Sequence, residues 1–207
     1  MAACLCSLLE PMETATKLLI LMHPHEDRKV KNGTGRLTSL SFDGAELLVG
    51  VSFQGHPRLA ALLSDPSYLP LLIYPGPEAM AISADALPPG TLQGRRLLAI
   101  FLDATWPLAR KMFRLTPALH GLPRFQLEGV EKSRWLIKRQ PAEHCLSTLE
   151  AVHELMLALE RSGLGRYGKP EQLLSVFQAL QDFQLSRSGP PDKRSCRGER
   201  KRGENVQ

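Results

Sequence analysis

An apolar run that stops at a carboxylate constrains this chain most. Leu97, Leu98, Ala99, Ile100, Phe101 and Leu102 follow one another without a polar residue, and Asp103 ends the run. Residues 106–115 then turn amphipathic, with Leu108, Met112 and Leu115 at helical spacing. A short continuous apolar run is the pattern of a strand buried on both faces, and such strands belong to parallel sheets covered by helices. In open sheets of that kind, ligands bind beyond the carboxyl ends of the strands. The expected class is therefore α/β, a mostly parallel sheet flanked by helices, with Asp103 delivered to the edge where a ligand would sit.

The remaining pattern agrees with alternating strands and helices. Residues 17–23, 46–51, 70–74, 96–102, 124–128 and 135–138 read as strands. Residues 34–42, 57–63, 106–115, 147–161 and 170–185 read as helices, with a polar turn over 25–31 and a loop over 86–94. The helix from Ser147 is the best marked. It opens on Ser-x-x-Glu, carries Val152, Leu155, Met156 and Leu159 as an apolar stripe, and stops at Ser162-Gly163. Beyond Ser186 apolar residues give way to Gly, Pro, Ser and charge, the composition of a disordered tail. One domain over 1–186 and a basic tail over 187–207 are expected.

Several classes are disfavoured. No Gly-x-Gly-x-x-Gly is present, against an ordinary dinucleotide site. No apolar run reaches the ~18–20 residues that span a bilayer. The first residues lack the basic, apolar and small-residue order of a secretory signal. Four cysteines, with Cys4 and Cys6 too close to bridge comfortably, do not make a disulfide framework. A reducing, cytoplasmic setting without membrane contact is expected.

The net charge of +5 is unevenly spread. Residues 95–139 hold ten basic and three acidic side chains, and residues 187–207 seven and three. A basic block inside a folded domain is the footprint expected of a nucleic-acid binder, although a solvated surface has the same composition.

Asp103-Ala104-Thr105-Trp106 is followed, 41 residues after Trp106, by Ser147-Thr148-Leu149-Glu150-Ala151. With Cys4-Leu5-Cys6, His23-Pro24-His25-Glu26 and the segment from Lys31 to Leu37, these motifs resemble the DTW-domain family in order and spacing, over roughly residues 4–185. The resemblance implies a SPOUT-like fold with a C-terminal trefoil knot. It also implies transfer of the 3-amino-3-carboxypropyl group of S-adenosylmethionine to a tRNA uridine. Cys4-Leu5-Cys6 looks like half of a zinc site. The earlier Cys-x-x-Cys with which family members often complete such a site is not in the chain, so no metal is expected. Two other readings stay open: an RNA methyltransferase on the same scaffold, and an RNA-binding protein without catalysis. The oligomeric state is open between monomer and homodimer.

Under the resemblance Asp103 is the catalytic candidate, a base or hydrogen-bond acceptor toward the uridine imide. An Asp here also commonly caps the next helix, and Thr105 is an alternative cap. Thr105, Trp106, Ser147, Thr148 and Glu150 are expected at the cofactor. Trp106 offers a flat face to adenine or to the target base, or else packs in the core. Arg36, Arg110, Lys111, Arg114, Arg134, Lys138 and Arg139 are expected on RNA phosphates. The glycines near Arg36 permit close backbone approach. His23, His25 and Glu26 lack the fixed spacing of a metal site and read as a turn that shapes the pocket.

Overall fold

The computed structural model describes residues 5–29, 33–83, 90, 92–128 and 146–187. Among the described residues six strands form one sheet in the order β2-β1-β5-β3-β6-β4. They are β1 (Lys17–Met22), β2 (Glu46–Val49), β3 (Tyr68–Ile73), β4 (Met80–Ser83), β5 (Arg96–Asp103) and β6 (Arg124–Glu128). Every pairing is parallel. Among the described residues there are six α-helices: α1 (Pro24–Lys29), α2 (Thr34–Leu40), α3 (Pro57–Ser64), α4 (Trp106–Arg114), α5 (Thr148–Arg161) and α6 (Pro170–Arg187). No described helix is long and apolar enough to cross a membrane.

The layers follow from the period of two along each strand. In β5, Leu97, Ala99 and Phe101 point into one core with Leu149, Val152, Leu155 and Met156 of α5 and Val176 and Leu180 of α6. Leu98 and Ile100 point into a second core with Leu59 and Leu62 of α3 and Ala109 and Met112 of α4. The sheet is thus sandwiched between α2, α5 and α6 on one face and α3 and α4 on the other. The run Leu97–Ile100 is 1% exposed or less, which is why it carries no polar residue on either face.

β1 and β5 are neighbours at the centre, in register from Lys17↔Leu98 to Met22↔Asp103. The chain leaves β1 toward α2 on one face and leaves β5 toward α4 on the other. Adjacent strands whose connections part in this way open a crevice at their carboxyl ends, the topological switch point of such sheets. Asp103 stands at it.

The structure departs from the sequence expectations in four places. The polar turn over 25–31 is instead the short helix α1. Pro24 presets its first φ, Glu26 and Asp27 sit in its first turn, and the His23 carbonyl accepts the Glu26 N–H at 2.9 Å. β3 begins at Tyr68 and runs through Pro70. That is tolerated because β6 joins β3 only at Leu72 and Ile73, so among the described residues Pro70 faces no ladder on that side. β4, unforeseen, is a four-residue edge strand, too short for alternation to mark. α4 ends at Arg114. Ala109 and Met112 form its buried face, while Leu115 is the C-cap residue and 38% exposed. The expected strand over 135–138 lies outside the described residues, as do the N-terminal Cys4 and the tail beyond Arg187.

Candidate active site

Asp103 continues the series 97, 99, 101 and so turns toward α2 and α5. It is 7% exposed. The Thr148 hydroxyl, on the first residue of α5, donates to Asp103 Oδ1 at 2.6 Å. From α2, Gly35 comes so close that a Cβ there would lie 2.6 Å from Asp103 Cγ and nearer still to Oδ2. Only a glycine leaves that space. The His23 N–H donates to the Asp103 carbonyl at 3.0 Å, tying the ends of β1 and β5 together. Two chain segments, α2 and α5, therefore converge on the carboxylate, and a third, β1, holds the backbone of the same residue.

α5 presents its amino end to this point through a complete capping box. Ser147 Oγ accepts the Glu150 N–H at 3.3 Å, and Glu150 Oε2 accepts the Ser147 N–H at 2.8 Å. Glu150 is 5% exposed. The cap orients the turn from which Thr148 reaches Asp103. Neither capping-box bond uses the N–H groups of Thr148 and Leu149.

The turn after β5 separates the expected residues. Thr105 holds the N-cap position of α4, so Asp103 is not that cap, yet the Thr105 hydroxyl makes no capping bond. Thr105 is exposed. Trp106 goes to the opposite face, where its ring lies 6.2 Å from that of Tyr74 and packs against the second core. Arg110, Lys111 and Arg114 are exposed on α4. Arg36 is engaged by Asp27 in an ion pair. Arg134, Lys138 and Arg139 lie outside the described residues.

His23, at the end of β1, has a defined tautomer. Its Nδ1 accepts the His25 N–H at 3.1 Å, so the neutral ring carries its proton on Nε2. Partial burial, then His25 and Lys111, hold its pKa below the usual histidine value, with Glu26 opposing. Among the described residues no cluster of three or more His, Cys, Asp or Glu is placed to hold a metal ion. An open cleft of about 470 Å³ lined by Glu13, Thr14, Ala15, Asp43 and Arg166 lies where the chain enters β1, at the amino ends of the strands, away from Asp103.

The sequence marked Asp103 and the Ser147 turn but not their contact. It marked the glycines as permissive without revealing that Gly35 makes room for Asp103. Tyr74, in a plain Leu-Ile-Tyr-Pro context, carried no signal of its place beside Trp106.

The chain matches the DTW domain over residues 1–185. It is 32% identical over 192 residues to the tRNA-uridine aminocarboxypropyltransferase 2 of Mus musculus, covering 88% of this chain and 60% of that protein. The protein of the same name from Macaca fascicularis is 30% identical over 191 residues, with 88% and 60% covered. The tRNA-uridine aminocarboxypropyltransferase A of Arabidopsis thaliana is 26% identical over 206 residues, with 88% and 77% covered. The chain thus spans about 60% of the length of the mouse and macaque relatives. No solved structure matches it. The domain match takes in the whole described sheet and both motifs that meet at Asp103, and the chain belongs to the DTW-domain family.

Proposed function

We propose that this protein transfers the 3-amino-3-carboxypropyl group of S-adenosylmethionine to N3 of a tRNA uridine, releasing methylthioadenosine. The names of its relatives support a tRNA uridine as substrate. The observation that carries the reading to particular residues is the 2.6 Å bond from Thr148 to Asp103, which joins the two family motifs at the switch point of the sheet. A SPOUT-like knotted arrangement is part of the proposal and rests on the resemblance alone.

The residues present fit such a donor. Its ammonium and sulfonium are cationic, and Asp103 and Glu150 are both buried carboxylates at the first turn of α5. Its carboxylate suits the amino end of α5, where the N–H groups of Thr148 and Leu149 and the helix dipole favour an anion. Thr105, Ser147, Thr148 and Glu150 are the proposed donor contacts, and Trp106, turned to the other face, offers its ring to the RNA rather than to the donor. When bound, the donor supplies a γ-carbon already activated by a sulfonium leaving group.

Asp103 accepts the proton as the uridine N3–H bond breaks, and the N3 electron pair forms the new bond to carbon. The carbon–sulfur bond breaks with its electron pair staying on sulfur. Thr148 fixes the carboxylate's orientation through Oδ1, and Gly35 lets it sit against α2. Much of the rate gain comes from this alignment, because correct placement of two reactants lowers the barrier without new chemistry. Arg110, Lys111 and Arg114, with Arg134, Lys138 and Arg139, are proposed phosphate contacts, and Arg36 acts only if RNA displaces Asp27.

The test is mass spectrometry of nucleosides from unmodified tRNA incubated with the protein and S-adenosylmethionine. Aminocarboxypropyluridine, absent with Asp103→Ala, is the expected result. A methyl addition would keep donor and scaffold and overturn the reaction. tRNA bound without modification by a folded protein would favour a binding role.

A further inference from the structure

On the face of the sheet away from Thr148, a row of rings begins at Trp106. The Tyr74 and Trp106 centroids are 6.2 Å apart, Tyr74 and Phe113 stack at 5.3 Å, and Phe113 and His120 lie at 4.7 Å. Trp106, Arg110 and Phe113 are spaced i, i+4, i+7 and share one flank of α4. The Arg124 guanidinium lies 5.6 Å from the Phe113 ring centroid and crosses the Gly76 turn, where a Cβ would meet it at 3.1 Å. Burial raises the Tyr74 pKa, and the nearby charges of Arg110 and Arg124 oppose that rise. Tyr74 backs the row from within the core, Trp106 and Phe113 are half-buried, and His120 is exposed. His120 Nε2–H donates to the Phe113 carbonyl at 2.8 Å, which holds its ring on the row.

The inner side of the row packs on the second core, and its outer side is flanked by cations. α4 contains no acidic residue, and among the described residues Arg110, Lys111 and Arg114 have no carboxylate within ion-pair distance. The acid beside the row is Glu78, highly exposed and paired with Arg124 at 2.5 Å. Partly exposed rings in series beside cations, of which Arg110 has no carboxylate partner among the described residues and Arg124 is held by Glu78, are what a single-stranded nucleic acid requires: stacking faces for bases and charge for phosphates.

We infer that this row is a docking track for single-stranded RNA, holding the nucleotides that flank the target uridine as they lead away from Asp103. The inference rests on the proposed RNA substrate and adds its path over the protein: bases stacked on Trp106, Phe113 and His120, and phosphates on Arg110 and, once RNA displaces Glu78, on Arg124. A duplex, whose bases stay stacked on one another, has no face to offer the row.

The test measures binding of a labelled single-stranded oligoribonucleotide by fluorescence anisotropy, in the absence of donor, beside a duplex of the same length. Phe113→Leu keeps apolar volume but removes the π face, and His120→Ala alters an exposed position. Melting temperatures near that of the parent protein establish that both fold. Each is expected to weaken single-strand binding by about tenfold, with little change for duplex. Arg110→Gln is expected to lower the slope of log affinity against log salt by about 0.7. Parent-like affinity in both ring variants, an equal loss for duplex, or no single-strand binding by the parent protein would overturn the inference. Row-dependent binding without any nucleoside product would leave the track standing and remove the transferase reading. Full product with binding indifferent to the row would do the reverse.

Discussion

At the residue scale the site depends on how one carboxylate is held. The Asp103 side chain receives a hydroxyl from Thr148 and fills the space that Gly35 leaves. Gly35→Ala is expected to fold, because Gly35 sits in a helix and alanine is the better helix former by about 1 kcal/mol. Its Cβ must nevertheless displace the carboxylate, and a misplacement of about 1 Å can cost on the order of 10²-fold in rate. A large loss of nucleoside product with thermal stability near that of the parent is the expected result; parent-like turnover would show that the placement of Asp103 does not matter. Thr148→Val keeps shape and removes the donated hydrogen bond, and turnover is expected to fall while the helix persists. Asp103→Asn keeps size and loses basicity, and a fall of about 10²–10⁴-fold is expected if the carboxylate takes the proton.

At the scale of elements, α5 and the β2 edge each hold a local device. The capping box of Ser147 and Glu150 is written in adjacent residues and satisfies N–H groups at the helix start. Ser147→Ala should cost about 1 kcal/mol, read as a lower urea midpoint, whereas Ser147→Asp, also a good cap, should restore most of it. On the β2 edge, Glu46 accepts two bonds from Arg58 at 2.7 and 2.5 Å and pairs with Lys17 at 2.5 Å. One carboxylate thereby joins β2, β1 and α3. The Arg58 hydrogen bonds, reinforced by Lys17, pull its pKa from 4.5 to about 2. A depressed carboxylate pKa means that the folded state binds the proton less readily than the unfolded one. Its stabilisation is complete above pH 4.5 and fades as pH falls toward 2. For a pair this exposed it is on the order of 1 kcal/mol. Denaturation of Glu46→Gln should lose that part of the acid dependence; an unchanged acid limb would show that the network contributes nothing.

For the whole molecule, the layering sorts the chemistry. The alternation along β5 sends Asp103 toward α5, where the proposed donor contacts lie. The next turn carries Trp106 to the α3 and α4 face, where rings and cations gather. Under the proposed function, donor and RNA approach from different sides of one sheet edge. A tRNA variant with the target loop closed into a duplex is expected to be a poor substrate, with product formation as the readout. Equal turnover on paired and unpaired targets would remove the division of labour between the faces.

What the sequence determined by itself is what neighbouring residues decide among themselves. The unbroken six-residue run before Asp103 is short for a helix and has the pattern of a strand with both faces covered, and Ser147 with Glu150 closes its own cap, so β5 and α5 were legible from short windows. α1 was misread because its polar composition resembles a turn and its start depends on the carbonyl of His23. Only the tertiary structure brought Thr148 to Asp103 across 45 residues, seated that carboxylate on Gly35, paired Arg36 with Asp27, and set Trp106 against Tyr74 rather than beside α5. Those contacts follow from strand order and from which face each residue takes. A short window of sequence specifies neither, because both are settled when the sheet closes its two cores together.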